Sequence, residues 1–294
     1  MPPPFGRLLT AMITPFDAGG AVDHGRVWEL AHHLVETGSE GLVVSGTTGE
    51  SPTLSDDEKI ALFRCVVEAV GDRAKVVAGT GTYDTAHSVE LTKRAEEVGC
   101  HGIMAVTPYY NRPSQEGLLA HFTAIAEACS LPVVLYNIPS RTGRRIEVDT
   151  ISRLADHPRI VAVKDAVGDL SFTTETVLAV GGRLAVYSGD DINTLPMMAV
   201  GGVGVISVAA HLAGRQIRKM IDSAVAGDAV AARKAHLALA PLCKALFAEP
   251  NPAPIKAAMD VLWAPVGKPR LPLVAASAVT IRAVEEALGI AQQL

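Results

Sequence analysis

The sequence predicts an α/β protein: a closed (β/α)8 TIM barrel over residues 1–226, carrying a C-terminal α-helical domain over 227–294. Two observations lead there. From residue 8 onward, eight short β-branched runs alternate with longer helix-like segments, the pattern of repeated β-α units around a parallel sheet. After Ala226 those runs stop and Ala- and Leu-rich helical patterning remains. An open doubly wound sheet is the alternative. Against it, no strand run leads into GxGxxG or GxxxxGK[ST], and the Gly201-Gly202-Val203-Gly204 cluster precedes its strand, the wrong side for a dinucleotide turn.

The predicted strands span 8–15, 41–46, 75–81, 102–108, 131–139, 160–166, 184–189 and 204–209. Helices are expected near 24–37, 55–70, 84–98, 114–128, 147–155, 170–180 and 191–200, with Ser55 and Asp84 as N-caps and Gly38, Gly71 and Gly99 as stops. In the C-terminal part, helices are expected over 229–247, 254–262 and 278–293, punctuated by Pro250, Pro252, Pro265, Pro269 and Pro272.

The bulk composition removes several function classes. A 294-residue chain with 49% hydrophobic residues has ample core, and a net charge of −5 with no basic run longer than Arg144-Arg145 argues against a nucleic-acid partner. No run of 18 apolar residues suggests a membrane span, and Met1-Pro2-Pro3-Pro4-Phe5 lacks a signal pattern, so the expected location is cytoplasmic. Cys65, Cys100, Cys129 and Cys243 are widely spaced with no CxxC, as expected of reduced thiols. His32-His33 is read as helical with no ligand role, and no HExxH or strand-end carboxylate–histidine set indicates a metal.

In a barrel of this kind the chemistry collects at the C-terminal ends of the strands. There the sequence supplies Thr14-Pro15-Phe16, Gly46-Thr47-Thr48-Gly49-Glu50-Ser51, Thr107-Pro108-Tyr109-Tyr110-Asn111, Tyr136 through Gly143, Lys164, Ser188-Gly189-Asp190-Asp191 and Ile206-Ser207. Of nine lysines, only Lys164 falls inside an apolar strand. Burying an unpaired ammonium costs several kcal/mol and favours the neutral amine, the form that attacks a carbonyl carbon to make a Schiff base. Alternation along the strand puts Ala162 and Ala166 on the same face, leaving room beside the amine. The competing reading is a lysine at a strand end that reaches solvent.

The neighbouring residues are less specific when read alone. Gly46–Gly49 can cradle a carboxylate with its backbone N–H groups or serve as a plain strand–helix connection. Tyr110 and Tyr136 suit a site, a core or an interface. Arg141 suits a bidentate carboxylate contact or a solvated loop. Asp190-Asp191 would repel a phosphate at the usual barrel phosphate site, favouring an unphosphorylated acid substrate.

Taken together, GTTGES (46–51), PYYNRP (108–113), YNIPSRTG (136–143), VKDA (163–166), SGDD (188–191) and NP (251–252) resemble the dihydrodipicolinate synthase family of the N-acetylneuraminate lyase superfamily. The resemblance implies a carbon–oxygen lyase that condenses pyruvate with L-aspartate 4-semialdehyde in lysine and diaminopimelate biosynthesis. It needs no cofactor beyond a covalent pyruvate imine on Lys164. By the same resemblance, Tyr136 relays protons with Thr47 and with Tyr110, the last contributed across a subunit boundary. Thr48 contacts the pyruvate carboxylate, Arg141 contacts the semialdehyde carboxylate, and the backbone at Gly189 and Ile206 lies against pyruvate. A homotetramer, a dimer of dimers, is implied.

Sialic-acid lyases of the superfamily typically carry threonine where this chain has Ala166, and they lack the arginine found here at Arg141. A pyruvate-dependent aldolase for sugar acids is the second reading, and a binding module with a vestigial lysine is a third. In lysine-inhibited relatives an interface cleft presents His, Asn and Glu at the positions held here by Lys59, Tyr83 and His87, so feedback inhibition by L-lysine is expected to be weak or absent.

Overall fold

Each barrel strand is only four to six residues long, because the chain leaves the ladder as soon as it reaches the site-bearing end. The strands are β1 (Leu8–Ala11), β2 (Gly41–Val44), β3 (Lys75–Gly79), β4 (Gly102–Val106), β5 (Val133–Asn137), β6 (Ile160–Asp165), β7 (Ala185–Ser188) and β8 (Gly204–Ser207). They pair in parallel in sequence order, and β8 closes onto β1. This computed structural model describes residues 2–294; Met1, which begins the Met1–Phe5 segment expected to carry no signal, lies outside them.

The predicted strands therefore exist, with ends that were drawn too long. Residues 12–15 and 80–81 continue as loop rather than as ladder, with Met12 N still donating to Val43 O at 3.0 Å and Thr80 N to Met104 O at 3.2 Å, whereas the chain bends at 45–46, with Ser45 at φ 56°. The expected end of the fifth strand is instead the start of a short helix, where Pro139 occupies a first-turn position that needs no N–H.

The helices are α1 (His24–Glu36), α2 (Asp56–Val70), α3 (Thr85–Glu97), α4 (Gln115–Glu127), α5 (Pro139–Thr142), α6 (Val148–Leu154), α7 (Leu170–Val180), α8 (Thr194–Ala199), α9 (Ala210–Val225), α10 (Ala229–Leu246), α11 (Ala253–Leu262) and α12 (Ala278–Ala291). Ser55 and Glu58 form a reciprocal capping box on α2, and the Asp84 side chain accepts from His87 N on α3. Helix α9 was not anticipated. Beyond a kink at Ala213, its buried Ile217, Met220 and Ile221 follow helical spacing and complete the eighth β-α unit. Helix α10 then packs on α9 and α12. Among the described residues, no helix is long and apolar enough to cross a membrane.

Two apolar clusters divide the core. The larger lies between strands and helices, while Leu9, Val43, Val77, Met104, Val134, Tyr136, Ala162, Tyr187 and Ile206 are among those filling the barrel interior. Strand β6 changes face within its length. The β5–β6 register jumps from Val133↔Ile160 to Val134↔Ala162, leaving Val161 as an extra residue. Ile160 belongs to the outer cluster and Ala162 to the inner one, although they are two apart. A one-residue bulge reverses the side-chain alternation, and here it turns every second residue after Val161 into the barrel.

Candidate active site

Lys164 is two residues beyond Ala162, so the bulge in β6 directs it inward. It is 5% exposed. Its register partners are Tyr136 on β5 and Tyr187 on β7. The Lys164 Nζ lies 4.3 Å from the centroid of the Tyr136 ring, and no hydrogen bond or ion pair joins it to another described residue. Tyr187 supports this layer from below, its hydroxyl donating to Gly6 O at 2.8 Å.

The residue after the lysine locks the strand end. Asp165 accepts from Thr173 Oγ1 at 2.6 Å and from Val167 N at 3.0 Å, and its carbonyl accepts from Gly189 N at 2.7 Å. Burial pushes the Asp165 carboxyl above the usual range, opposed by those two hydrogen bonds. Gly189 has no room for a side chain: a Cβ there would stand 2.7 Å from the Ala166 Cβ. The glycine thus keeps the space over β6 and β7 open.

A cleft of about 210 Å³ opens above Tyr136, and Thr47 and Arg141 share its lining with Tyr109 and Met104. A wider depression of about 700 Å³ adjoins it through Arg141 and Ile138, and is lined also by Ala166, Gly189 and Asp190. Arg141, on α5, therefore belongs to both. Its Nη2 reaches Asn251 O at 3.4 Å. Gly46–Ser51 folds as a tight turn in which Glu50 N donates to Thr47 O at 3.1 Å and Ser51 N to Gly46 O at 3.2 Å. Thr48 is buried, with Oγ1 accepting from Asn251 Nδ2 at 3.0 Å.

Tyr110 is placed differently. It is 93% exposed and held at φ 71°, a left-handed conformation uncommon for a non-glycine residue. Neighbouring contacts fix it there: Asn111 Nδ2 donates to Tyr83 O at 2.9 Å, and the Tyr83 and Tyr109 rings meet edge-on at 5.3 Å. Within one chain it does not join the Tyr136–Thr47 group.

The remaining strand ends sort themselves by burial. Ile206 is fully inside, and Ser207 donates to the Asp191 carboxylate, which also accepts from Val208 N at 2.9 Å and Ala209 N at 3.1 Å. The paired acids expected to face a substrate are therefore one facing acid and one structural acid. Asp190 lines the outer depression, whereas Asp191 is turned inward to hold the start of the segment leading into α9. Burial raises the proton affinity of both carboxyls. The adjacent histidines are also structural: His32 Nδ1 lies 2.6 Å from Arg73 Nη2, and the His33 ring packs 5.1 Å from Trp263.

Sequence reading missed one group of residues. Lys256 on α11 and Glu50 form an ion pair at 2.8 Å with both side chains 1% exposed. Burial pushes the Lys256 ammonium below its ordinary value, with Glu50 opposing. No local signal marks Lys256, because lysine is ordinary on a helix and Asp260 follows it by one turn.

The model of the dihydrodipicolinate synthetase family matches residues 4–291. The chain belongs to this family. It is 53% identical over 286 residues to the 4-hydroxy-tetrahydrodipicolinate synthase of Desulforamulus reducens, covering 97% of each sequence. The crystal structure of the dihydrodipicolinate synthase of Cyanidioschyzon merolae with lysine bound superposes with a TM-score of 0.96 at 44% identity, covering 99% of both chains. A monomeric dihydrodipicolinate synthase variant superposes with a TM-score of 0.95 at 37% identity, over 99% of this chain and 98% of that one. Family membership agrees with the eight-stranded closed barrel and with the motifs that suggested it.

Proposed function

We propose that the chain is a 4-hydroxy-tetrahydrodipicolinate synthase that condenses pyruvate with L-aspartate 4-semialdehyde through an imine on Lys164. The observation that carries this is a buried lysine without a polar partner, 4.3 Å from the ring of Tyr136, which lines a cleft together with Thr47 and Arg141.

The chemistry follows from the groups present. The Lys164 amine adds to the pyruvate ketone, and the carbinolamine loses water to give the imine. Loss of a proton from the pyruvate methyl gives an enamine, whose carbon adds to the aldehyde of the second substrate. The amino group of that substrate then attacks the imine carbon and displaces Lys164, closing the ring. Each step moves a proton near the same carbon, and Tyr136 is the phenol beside it; Thr47 hands protons onward to Tyr110 of a second copy. Thr48 and the backbone of its turn hold the pyruvate carboxylate. Arg141, at the junction of the two depressions, holds the carboxylate of the semialdehyde. Gly189 and the backbone at Ile206 flank the bound pyruvate.

The exposure and fixed conformation of Tyr110 support an assembly in which it enters a neighbouring site, and a homotetramer built as a dimer of dimers is the proposed form. No cofactor beyond the covalent imine enters the scheme, and the proposed location is the cytoplasm. The test is a coupled assay with pyruvate, L-aspartate 4-semialdehyde, NADPH and added dihydrodipicolinate reductase. NADPH loss in the wild type and none in Lys164→Ala is expected. A folded wild type with no turnover rejects this acceptor and points to sugar-acid cleavage.

A further inference from the structure

The C-terminal segment holds the Thr47–Glu50 turn directly at Thr48 and Glu50, and at Gly49 through Thr14. Asn251 Nδ2 donates to Thr48 Oγ1 at 3.0 Å. Lys256 Nζ donates to Thr14 O at 3.0 Å, and Thr14 Oγ1 in turn donates to Gly49 O at 2.7 Å. The same Nζ donates to Glu50 Oε1 at 2.8 Å, while Glu50 Oε2 accepts from Arg270 N at 2.8 Å. The third Lys256 proton goes to Lys268 O at 3.2 Å, and the Phe16 ring centroid lies 4.0 Å from the Nζ.

Every donor of Lys256 is thus used, and two of its three partners lead to the turn. Glu50 itself stands at φ 57°, a strained setting for a non-glycine residue that persists only where contacts over-determine it. A buried ion pair gives little net stability compared with apolar residues of the same volume, so its use here is better explained by geometry than by stability. The geometry it fixes is that of Thr47 and Thr48.

We propose that Lys256 is a positioning residue that sets affinity for the pyruvate carboxylate by holding the Thr47–Glu50 turn in its strained form. This rests on the reading of that turn as the carboxylate cradle. Lys256 touches no reacting atom, so its removal should weaken pyruvate binding and leave the later steps largely intact.

The test compares Lys256→Met, Glu50→Gln and Thr14→Val with the wild type, after thermal melts have identified folded variants. Steady-state kinetics would be joined to borohydride trapping of pyruvate across a concentration series. The expected result is a rise of about tenfold or more in the pyruvate concentration for half-saturation by both measures. The KM for the semialdehyde and kcat at saturation should change by less than about threefold. If Lys256→Met does not fold, Glu50→Gln and Thr14→Val decide, since both keep the shape of the side chain they replace. An unchanged pyruvate half-saturation in the folded variants, or a loss confined to kcat, overturns the proposal. Thr48→Ala run alongside separates the two readings. A pyruvate defect in Thr48→Ala alone overturns the positioning role only, whereas no defect in any variant overturns the cradle reading and this proposal with it.

Discussion

Lys164 and Tyr136 are direct register partners on adjacent parallel strands, and the lysine Nζ lies 4.3 Å from the centroid of the phenol ring. That neighbour relation depends on the extra residue at Val161, which reverses the alternation of β6 just before Ala162. Without it Lys164 would point toward the helices, away from Tyr136. Lys164 and Tyr136 are therefore brought together by strand register rather than by a flexible loop.

Replacing Tyr136 by Phe keeps the ring that packs on Lys164 and removes only the hydroxyl. The expected result is a loss in kcat of about 10²- to 10⁴-fold, the usual range for one acid–base group, with an unchanged melting temperature. Turnover within a few-fold of wild type would remove Tyr136 from the proton path.

Arg141→Leu should separate the two substrates. A lost charge-assisted contact of about 1.5–3 kcal/mol corresponds to a rise of roughly 10- to 100-fold in the KM for the semialdehyde. Pyruvate trapping by borohydride should change little. Equal effects on both substrates would place Arg141 in the support of the cleft instead.

Tyr110 offers a test of assembly. A phenol 93% exposed in one chain and held at φ 71° should be covered by a neighbouring copy. Activity should then fall on dilution as sedimentation shows subunits separating, and Tyr110→Phe should lower kcat without changing the assembly. A fully active monomer would refute the shared site.

L-lysine is expected to be a poor inhibitor. Asp56 is already engaged by His87 Nε2 at 2.8 Å and by Lys59 Nζ at 3.7 Å, so its carboxylate is not free to accept from a cationic amino acid. Inhibition curves at saturating substrates should stay above half-activity at submillimolar L-lysine; half-inhibition there would contradict the reading.

The acid limit of stability should carry the signature of His211. Its Nε2 accepts from Ile13 N at 3.1 Å and its Nδ1 donates to Val208 O at 2.8 Å, an arrangement open only to the neutral ring. Burial lowers its pKa to about 4. A folded pKa below the unfolded one means that protons bind the unfolded chain first. The stability it contributes is complete above about pH 6.5 and is lost as pH falls toward 4, by up to ~1.4 kcal/mol per pH unit. The raised carboxyls of Asp165, Asp190 and Asp191 act in the opposite sense, so the comparison must be with a variant. Urea unfolding of His211→Gln between pH 6.5 and 4 should show a shallower loss than wild type. Equal slopes would mean that His211 does not titrate on unfolding.

Much of the site was legible because its residues break local rules. A lysine inside Ile160–Ala166 conflicts with an apolar strand, and Thr47, Tyr136 and Arg141 fall at strand ends, where the barrel gathers its chemistry. What escaped were features with no local conflict. Lys256 sits in a helix, where lysine is ordinary, and only its burial against Glu50 reveals it. Helix α9 followed the last strand so closely that its amphipathic spacing was absorbed into the barrel's end. The bulge at Val161 and the left-handed Tyr110 are properties of pairing and backbone, which residue types alone do not encode.

The most direct measurement is to incubate the protein with pyruvate, reduce it with borohydride and locate the modified peptide by mass spectrometry. A single reduced pyruvyl adduct on Lys164, absent from Lys164→Ala, is expected. No adduct, or an adduct on another buried lysine such as Lys59 or Lys256, would contradict it.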